Sequence, residues 1–202
     1  MWLLTMKLLL HNCCGPCTIY PLNRLREQGH QVHGYFYNPN IHPYTEWRKR
    51  KLALLQYADE HGLPLIVDNE YELEAYLREV VHREAVRCRF CYTMRLRKAA
   101  RVARKGKFDA FTTTLLVSPY QKHDLIKETG IAVAEEAGIP FYYEDFRTGY
   151  RDATEISRAL GMYRQQYCGC IFSEKERYVD EKKTSLRRVT TQESGVRIQE
   201  SE

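Results

Sequence analysis

The chain has 202 residues, of which 44% are hydrophobic and 28% charged, which is enough for one domain with a substantial core. Its net charge of +5, from 31 lysines and arginines against 26 aspartates and glutamates, is mildly basic, so the location of the charge matters more than its total. No stretch is long and apolar enough to span a bilayer, and the apolar start resembles a buried strand more than a signal peptide, so we predict a cytoplasmic protein without membrane contact.

Strand and helix patterns alternate along the chain. The predicted elements, in order, are a strand ending at 8–10, a helix over 18–28, a strand over 32–37, a helix over 44–61, a strand over 65–67, helices over 70–81 and 94–105, a strand beginning in 108–116, a helix over 122–137 and a strand over 139–143. This order predicts an α/β fold, a Rossmann-like parallel sheet with helices on both faces, in a single domain over 1–178. The polar segment 179–202 is predicted to be a flexible tail.

Polar loops follow four of the predicted strands. They cover 11–17, 38–43, 114–120 and 144–147. Because ligands of an open α/β sheet bind at the carboxyl ends of its strands, we expect these loops to meet on one rim and to form the active site there.

The cysteines are grouped. The groups are Cys13, Cys14 and the nearby Cys17, then Cys88 and Cys91, and finally Cys168 and Cys170. Without secretion, such groups indicate metal binding or catalysis more than a disulfide framework. Four thiolates from positions 13, 14, 88 and 91 suit zinc or an iron–sulfur cluster, and the adjacent pair favours a [4Fe–4S] cubane, whose irons each take one external ligand. Buried free cysteines are the alternative, but they leave the neighbouring cations unexplained.

The last two cysteines are separated only by Gly169. They can form a disulfide only if the chain bends, which glycine permits. A strained local disulfide is easily reduced, so Cys168 and Cys170 are typical of a redox pair, although they could also be further metal ligands. Cys17 lies one helical turn after Cys14 and could face a cluster, bind a second metal or be a buried thiol; the sequence leaves these open.

A basic segment follows the second cysteine group. From 88 to 108 there is no acidic residue, and a second basic run occupies 48–51 beside Trp47. A cationic helix next to a metal ligand is a plausible track for a phosphate backbone, and fifteen tyrosines could stack on unpaired bases, the alternative being an ordinary solvated helix face. The candidate nucleic-acid contacts are Arg95, Arg97, Lys98, Arg101, Arg104 and Lys105.

Five motifs occur in order along the chain. They are HNCCGPC at 11–17, YNPNIHP at 37–43, CRFCYTMRL at 88–96, TTLLVSPYQK at 113–122 and YRQQYCGC at 163–170. Over about residues 7–178 the chain thereby resembles the QueH-type epoxyqueuosine reductases, the cobalamin-independent kind. The resemblance implies a fold related to the adenine nucleotide α-hydrolases. It also implies reduction of epoxyqueuosine at the wobble position of a tRNA anticodon to queuosine, the last step of that modification.

The resemblance further implies a cofactor and roles for the cysteines. Cys13, Cys14, Cys88 and Cys91 would hold a [4Fe–4S] cluster, Cys168 and Cys170 would form a redox-active disulfide, and an additional iron ion would lie where Cys17 can reach it. Converting an epoxide into an alkene needs two electrons, whereas a cluster usually passes one at a time, so a second electron store and an electron donor, which the sequence does not identify, are both expected.

Other side chains on the predicted rim are candidates for the remaining roles. The candidate proton donors are His11, His42, Tyr120, Lys122, Asp145 and Tyr163. The candidate substrate-binding residues are Asn38, Asn40, His42, Ser118, Arg164 and Gln165, and the cations between 95 and 105 would bind tRNA.

Two alternative functions stay open at this stage. One is an ATP-dependent tRNA thiolase of the same fold, which needs a glycine-rich pyrophosphate loop where CCGPC stands here. The other is a zinc-stapled RNA-binding module without redox activity, which leaves the Cys168–Cys170 pair without a role.

Overall fold

One parallel sheet organises the molecule. The computed structural model describes residues 5–179, and its strands are β1 (Lys7–Asn12), β2 (Gln31–Phe36), β3 (Leu65–Val67) and β4 (Ala110–Thr113). They pair in parallel in the order β3-β2-β1-β4. The chain thus winds outward from β1 to β3 and then crosses to the other edge at β4. The strand order reverses beside β1, and the carboxyl ends of β1 and β4 form the crevice where such sheets bind ligands.

Helices cover both faces of the sheet, as the sequence predicts. They are α1 (Gly15–Glu27), α2 (Tyr44–Glu60), α3 (Leu73–Val80), α4 (Arg87–Lys105), α5 (His123–Ala137), α6 (Tyr150–Ala159) and α7 (Ile171–Tyr178), with 3-10 turns at Glu84–Val86, Thr114–Val117 and Phe146–Gly149. Among the described residues, no helix has the length and apolar character needed to cross a membrane.

The alternation of side chains along β1 separates the two helical layers. Leu8 and Leu10 pack in the same apolar cluster as Leu22 of α1. Leu9, which points to the opposite face, packs in a second cluster with Leu96 of α4. All three leucines of β1 are fully buried, as expected for a strand covered on both faces of a parallel sheet. The loop at the carboxyl end of β1 is therefore held between both layers.

The structure corrects several predicted elements. The predicted strand over 139–143 is wrong, because this segment forms a single bridge from Phe141 to Phe111, and Pro140 beside it has no N–H with which to extend the ladder. The strand predicted in 108–116 is confined to β4 and then tightens into the 3-10 turn. Helices α6 and α7 have no predicted counterpart. The predicted tail, 179–202, lies outside the described residues apart from Val179.

The predicted helix over 94–105 is also longer than expected. Helix α4 begins at Arg87, so Cys88 and Cys91 lie in its first turns. Three residues apart on a helix, they belong to one face. The second cysteine group is thus held by regular secondary structure and not by a loop.

Candidate active site

The first cysteine group is positioned by a buried asparagine at the end of β1. The Asn12 side chain donates to Thr18 Oγ1 (2.9 Å) in α1 and accepts from the backbone N–H of Tyr35 (3.0 Å) in β2. Cys13 and Cys14 follow immediately, and Cys14 has extended backbone at the N-cap of α1. The two thiols therefore sit where strand and helix meet, with little freedom to move.

Three sulfur atoms converge there. The Sγ atoms of Cys13, Cys14 and Cys17 all lie within 4.8 Å of one another, and those of Cys13 and Cys14 are 3.7 Å apart. Between residues 5 and 179, no other set of three or more cysteine, histidine or acidic side chains brings its donor atoms so close. A tetrahedral ion with metal–sulfur bonds of about 2.3 Å separates its ligands by about 3.8 Å. The trio therefore has the dimensions of a metal site, and Cys17 belongs to it.

The electrostatics of the trio favour one thiolate. Hydrogen bonds from the thiols of Cys14 and Cys17 hold the pKa of Cys13 well below its usual range, with help from the charge of Arg95 and the Thr114 hydroxyl. Burial raises the pKa of Cys14, and the hydrogen bonds to its neighbours raise that of Cys17. Because a bound cation requires deprotonated cysteines, metal binding here would release protons.

The second cysteine group lies in the same part of the interior. Burial raises the pKa of Cys91 to about 12, and Arg95, whose Nη1 is 4.0 Å from Cys91 Sγ, opposes that shift. The same guanidinium lowers the pKa of Cys13, so Arg95 acts on both groups. The Cys88 thiol is half-buried; burial raises its pKa and Lys122 lowers it. Arg95 thus acts on one thiol of each group, Cys13 and Cys91.

Arg95 corrects the prediction of a nucleic-acid contact at this position. Its side chain is only 2% exposed, and its Nη2 donates to Asn38 Oδ1 at 2.6 Å. Helical spacing does distinguish this arginine from its neighbours, because Arg95 is in register with the buried stripe of α4 that includes Tyr92 and Ala99, and the sequence-based prediction did not use that signal. Arg95 belongs to the thiol centre and not to the basic surface.

The remaining candidate cations are on the outside of α4. Arg97, Arg101, Arg104 and Lys105 are exposed and Lys98 is partly so. Arg97 pairs with Glu136 (2.8 Å) and Lys98 with Asp68 (3.2 Å), which leaves part of this charge already compensated.

The third cysteine group adopts the bend predicted for it. Gly169 has φ +112°, a region that favours glycine, and a Cβ there would lie 2.8 Å from Ile41 Cγ1. Cys168 is exposed, whereas Cys170 is 4% exposed and accepts a hydrogen bond from Tyr76 Oη at 3.1 Å. All seven cysteines lie in the described part of the chain as free thiols.

A cavity of about 580 Å³ opens at the predicted rim and joins the first and third cysteine groups. Cys13, Cys17 and Cys168 all line it. The other side chains of its wall include Arg50, Thr114, Ser118, Tyr120, Gln121, Tyr150, Arg164, Gln165, Tyr167 and Arg177. The wall is thus largely polar and aromatic, with sulfur at its base.

Ser118, Tyr120, Arg164 and Gln165 lie at this cavity, as expected for substrate contacts or acids. Gln165 also donates from Nε2 to Cys17 Sγ at 3.5 Å. Tyr120 is 84% exposed, unusually so for an aromatic side chain. Its ring lies 5.9 Å from that of Tyr150, edge to face.

The candidates from the second motif are not part of the cavity wall. Asn38, Asn40 and His42 are all buried. Asn38 donates to the backbone carbonyl of Asn12 (3.0 Å), and His42 bonds the Tyr71 hydroxyl through Nδ1 (3.0 Å). These side chains hold the loop after β2 in place.

Three candidate proton donors are poorly suited to that role. His11 is fully buried, with Thr113 Oγ1 and the Tyr37 carbonyl on its two nitrogens, and burial lowers its pKa to about 3. Hydrogen bonds from Arg147 lower the pKa of Asp145 to about 2, so this carboxylate is ionised at neutral pH. Tyr163 is hydrogen-bonded to the Glu46 carboxylate, and burial raises its pKa.

Several residues of the site were not found from the sequence. Thr114 donates from Oγ1 to Cys13 Sγ (3.3 Å), Tyr76 bonds Cys170, and Arg50 lies behind the third group. Arg50 belongs to the basic run at 48–51, yet it is buried. The i,i+4 spacing of Glu46 and Arg50 is a sequence signal for a paired arginine, but it does not indicate burial.

Fold and site together define a class: a Rossmann-like α/β protein with a thiol centre at its ligand-binding rim. A solved structure described as a predicted subunit of tRNA methyltransferase, from Methanocaldococcus jannaschii, superposes with a TM-score of 0.50 over 76% of this chain and 74% of that one. Its identity to this chain is 11%, so the likeness concerns the fold alone.

Residues 8–176 match the family model of epoxyqueuosine reductase QueH. The chain is 42% identical over 172 residues to the epoxyqueuosine reductase QueH of Dehalococcoides mccartyi, covering 85% of this chain and 94% of the relative. It is 34% identical over 179 residues to the enzyme of the same name from Thermotoga maritima, covering 84% and 91%. The chain belongs to the QueH family and is an oxidoreductase of this kind.

Replacing Thr114 by valine tests the anchoring of Cys13. The variant loses the hydroxyl that accepts from the Cys13 N–H (3.1 Å) and donates to its Sγ, so a buried donor is left without a partner. We expect Thr114→Val to lower the free energy of unfolding by about 1–3 kcal/mol, measured by urea denaturation.

The matched control is Thr112→Val. Thr112 is also fully buried in the same segment, but its hydroxyl has no hydrogen-bond partner among the described residues. We expect this variant to be as stable as the parent or more so. Equal losses in the two variants would contradict the assigned role of Thr114.

His42 makes the stability depend on pH. Burial lowers its pKa to about 4, whereas an unfolded histidine titrates near 6.5, so the unfolded chain alone takes up this proton as the pH falls between those values. The contribution of neutral His42 to the free energy of unfolding is complete above about pH 6.5 and is lost as the pH falls towards 4. We expect the unfolding free energy of the parent to fall more steeply than that of His42→Gln, by about 1 kcal/mol per pH unit, in urea titrations from pH 7 to 4. Parallel curves would contradict this.

Proposed function

We propose that this chain reduces the epoxide of epoxyqueuosine at the wobble position of tRNA to give queuosine, using an iron and thiol centre built from its cysteines. The observation that carries the proposal is the meeting of cysteine groups, separated by about 150 residues of sequence, at one rim cavity of a chain in the QueH family. A cavity of about 580 Å³ has the capacity of a small-molecule site and suits one extruded nucleoside.

The donor set fits an iron–sulfur cofactor. Cys13, Cys14, Cys88 and Cys91 would hold the [4Fe–4S] cluster, and Cys17 would serve an additional iron ion beside it. Arg95 supports this assignment, since its buried charge acts on one cysteine of each pair, Cys13 and Cys91, and would offset the negative charge of clustered thiolates. When bound, such a cluster supplies electrons at a potential that burial and hydrogen bonds to its sulfurs adjust.

Cys168 and Cys170 would provide the two-electron step. Oxidation of this dithiol to a disulfide releases two electrons and two protons, which equals what an epoxide needs to become an alkene and water. Cys168 lies in the cavity wall and Cys170 directly behind it, so one thiol faces the substrate while the other is sheltered. A low-potential electron donor must then restore the dithiol.

The cavity wall would recognise the RNA. Ser118, Arg164 and Gln165 offer polar contacts to a nucleoside, and the exposed Tyr120 with its neighbour Tyr150 offers aromatic surface to a flanking base. The exposed cations of α4 would contact phosphates elsewhere on the tRNA. Of the candidate proton donors, Tyr120 lies in the cavity wall and Lys122 acts on Cys88, which makes these two the strongest.

The proposal predicts the metal content of anaerobically prepared protein. We expect iron and sulfide in near-equal amounts, with at least four irons per chain, and conversion of epoxyqueuosine-containing tRNA with a strong reductant. Cys91→Ser should lose most of the iron, because it removes a proposed ligand. Cys168→Ser should keep the iron and lose turnover.

Inductively coupled plasma analysis, sulfide assay and electron paramagnetic resonance of the reduced protein measure these outcomes. Zinc in place of iron, together with an unaffected Cys168→Ser variant, would instead support the RNA-binding module. Iron-replete protein that never reduces the modified tRNA would exclude the reductase.

Tyr120 provides a separate test of RNA recognition. Stacking of a base on an aromatic side chain contributes about 1–3 kcal/mol, so Tyr120→Ala should weaken binding of an anticodon stem-loop RNA roughly tenfold, whereas Tyr120→Phe should bind like the parent. Fluorescence anisotropy at fixed salt measures the affinity. The control is Tyr44→Ala, which removes another exposed tyrosine (51%) that does not line the cavity. Equal affinities of Tyr120→Ala and the parent would contradict the stacking role.

A further inference from the structure

A buried arginine at the edge of the cavity contacts the segment that carries the third cysteine group, and the proposed reaction gives it no role so far. Arg50 of α2 is 1% exposed. Its Nε donates to Glu46 Oε1 (2.7 Å), its Nη1 to the backbone carbonyl of Cys168 (3.0 Å) and its Nη2 to that of Tyr167 (2.9 Å). Every nitrogen of the guanidinium therefore has a partner, which a buried charge requires. Two of the three partners belong to the segment that carries the proposed redox pair.

That segment has few other attachments. Residues 162–170 contain neither helix nor strand. Between 163 and 169, the one backbone–backbone hydrogen bond to another part of the described chain runs from the His42 N–H to the Gly169 carbonyl (2.8 Å). The position of Cys168 thus depends largely on side chains, and Arg50 supplies two bonds to consecutive carbonyls.

The same helix also holds both ends of the segment. Glu46, one turn before Arg50, uses its second oxygen to accept the Tyr163 hydroxyl. The Tyr167 hydroxyl donates to the His42 carbonyl, and the Tyr167 ring lies 5.5 Å from the Arg50 guanidinium. Because Glu46 and Arg50 are four residues apart, a single face of α2 binds the start of the segment at Tyr163 and its later part at Tyr167 and Cys168.

We propose that Arg50 is a positioning residue whose planar fork sets the Cys168–Cys170 loop, so that Cys168 faces the cavity and Cys170 stays sheltered against Tyr76. The role belongs to the fork and not to the charge alone, because two adjacent carbonyls require two N–H groups in a fixed geometry, which a lysine ammonium does not provide. The proposal rests on the proposed function only in taking this cysteine pair as the redox pair.

The protection of Cys170 from alkylation measures the position of the loop without any assay of activity. The holoprotein, kept anaerobic and reduced, is treated with iodoacetamide, and peptide mass mapping follows each cysteine. We expect Cys170 to react on the order of tenfold faster in both Arg50→Lys and Arg50→Gln than in the parent, since each loses the fork. Arg97→Lys, which changes an exposed arginine on α4, should leave the rate unchanged.

Some results would overturn the proposal. Protection of Cys170 in Arg50→Lys equal to that in the parent would show that the charge suffices or that the loop is held by other groups. An equal acceleration at the buried Cys91 would indicate general loosening of the fold, and circular dichroism with a urea midpoint checks for that independently.

A second variant keeps the buried charge and disturbs the loop instead. A Cβ at Gly169 would lie 3.1 Å from Arg50 Nη1, on backbone at φ +112° that disfavours a side chain. Gly169→Ala should therefore push the loop off its anchor and accelerate alkylation of Cys170 by a similar factor, even if Arg50 variants fail to fold. Unchanged protection in Gly169→Ala would count against the anchor.

Turnover provides a further readout. In Arg50→Lys we expect kcat to fall about tenfold while KM for the modified tRNA stays within about twofold, because the anchor holds a thiol and not the RNA. A change confined to KM would contradict the positioning role. If the parent shows no reductase activity at all, the proposed function fails, but the alkylation result still decides the role of Arg50.

Discussion

The site depends on one strand that is covered on both faces. β1 is central in the sheet, its three leucines are fully buried, and its end is fixed by Asn12, which bonds both the next strand and the following helix. The backbone at Cys13 and Cys14 is therefore held in one position. The other groups of the centre, which include the Thr114 hydroxyl and the helix that carries Cys88 and Cys91, are arranged around the end of this strand.

The interior also places buried positive charge beside its cysteines. Two arginines, Arg50 and Arg95, are almost fully buried, which is rare for this residue type unless it is paired. Arg95 acts on Cys13 of the first group and on Cys91 of the second, and Arg50 binds two carbonyls of the segment that carries the third. Burial opposes the charge of Arg50, but Cys14 and Glu46 raise its pKa. Buried cations beside clustered sulfur are what a centre with several thiolates needs, since unpaired negative charge in the interior would be costly.

The arrangement also explains why the functional alternatives are less well supported. A thiolase of this fold would place a pyrophosphate loop between β1 and α1, but only Cys13 and Cys14 separate these elements here. An RNA-binding module would have no need for a sheltered thiol at Cys170 bonded to Tyr76 behind an exposed one at Cys168. The cavity, the sulfur at its base and the family membership point to the same chemistry.

The βα alternation, the three cysteine groups and the bend at Gly169 could be predicted from the residues alone, because these are local signals: apolar period, glycine stops and residue spacing. The strand predicted over 139–143 is wrong although its composition is typical of a strand, because Pro140 has no N–H for the ladder and the neighbouring strand β4 is short. Arg50 and Arg95 were grouped with the exposed cations beside them, although each lies at helical spacing within the buried stripe of its helix. The membership of Cys17 in the first trio and the hydrogen bonds of Thr114 became visible only in the folded chain, because each depends on which distant segment packs against that position, and no local pattern carries that information.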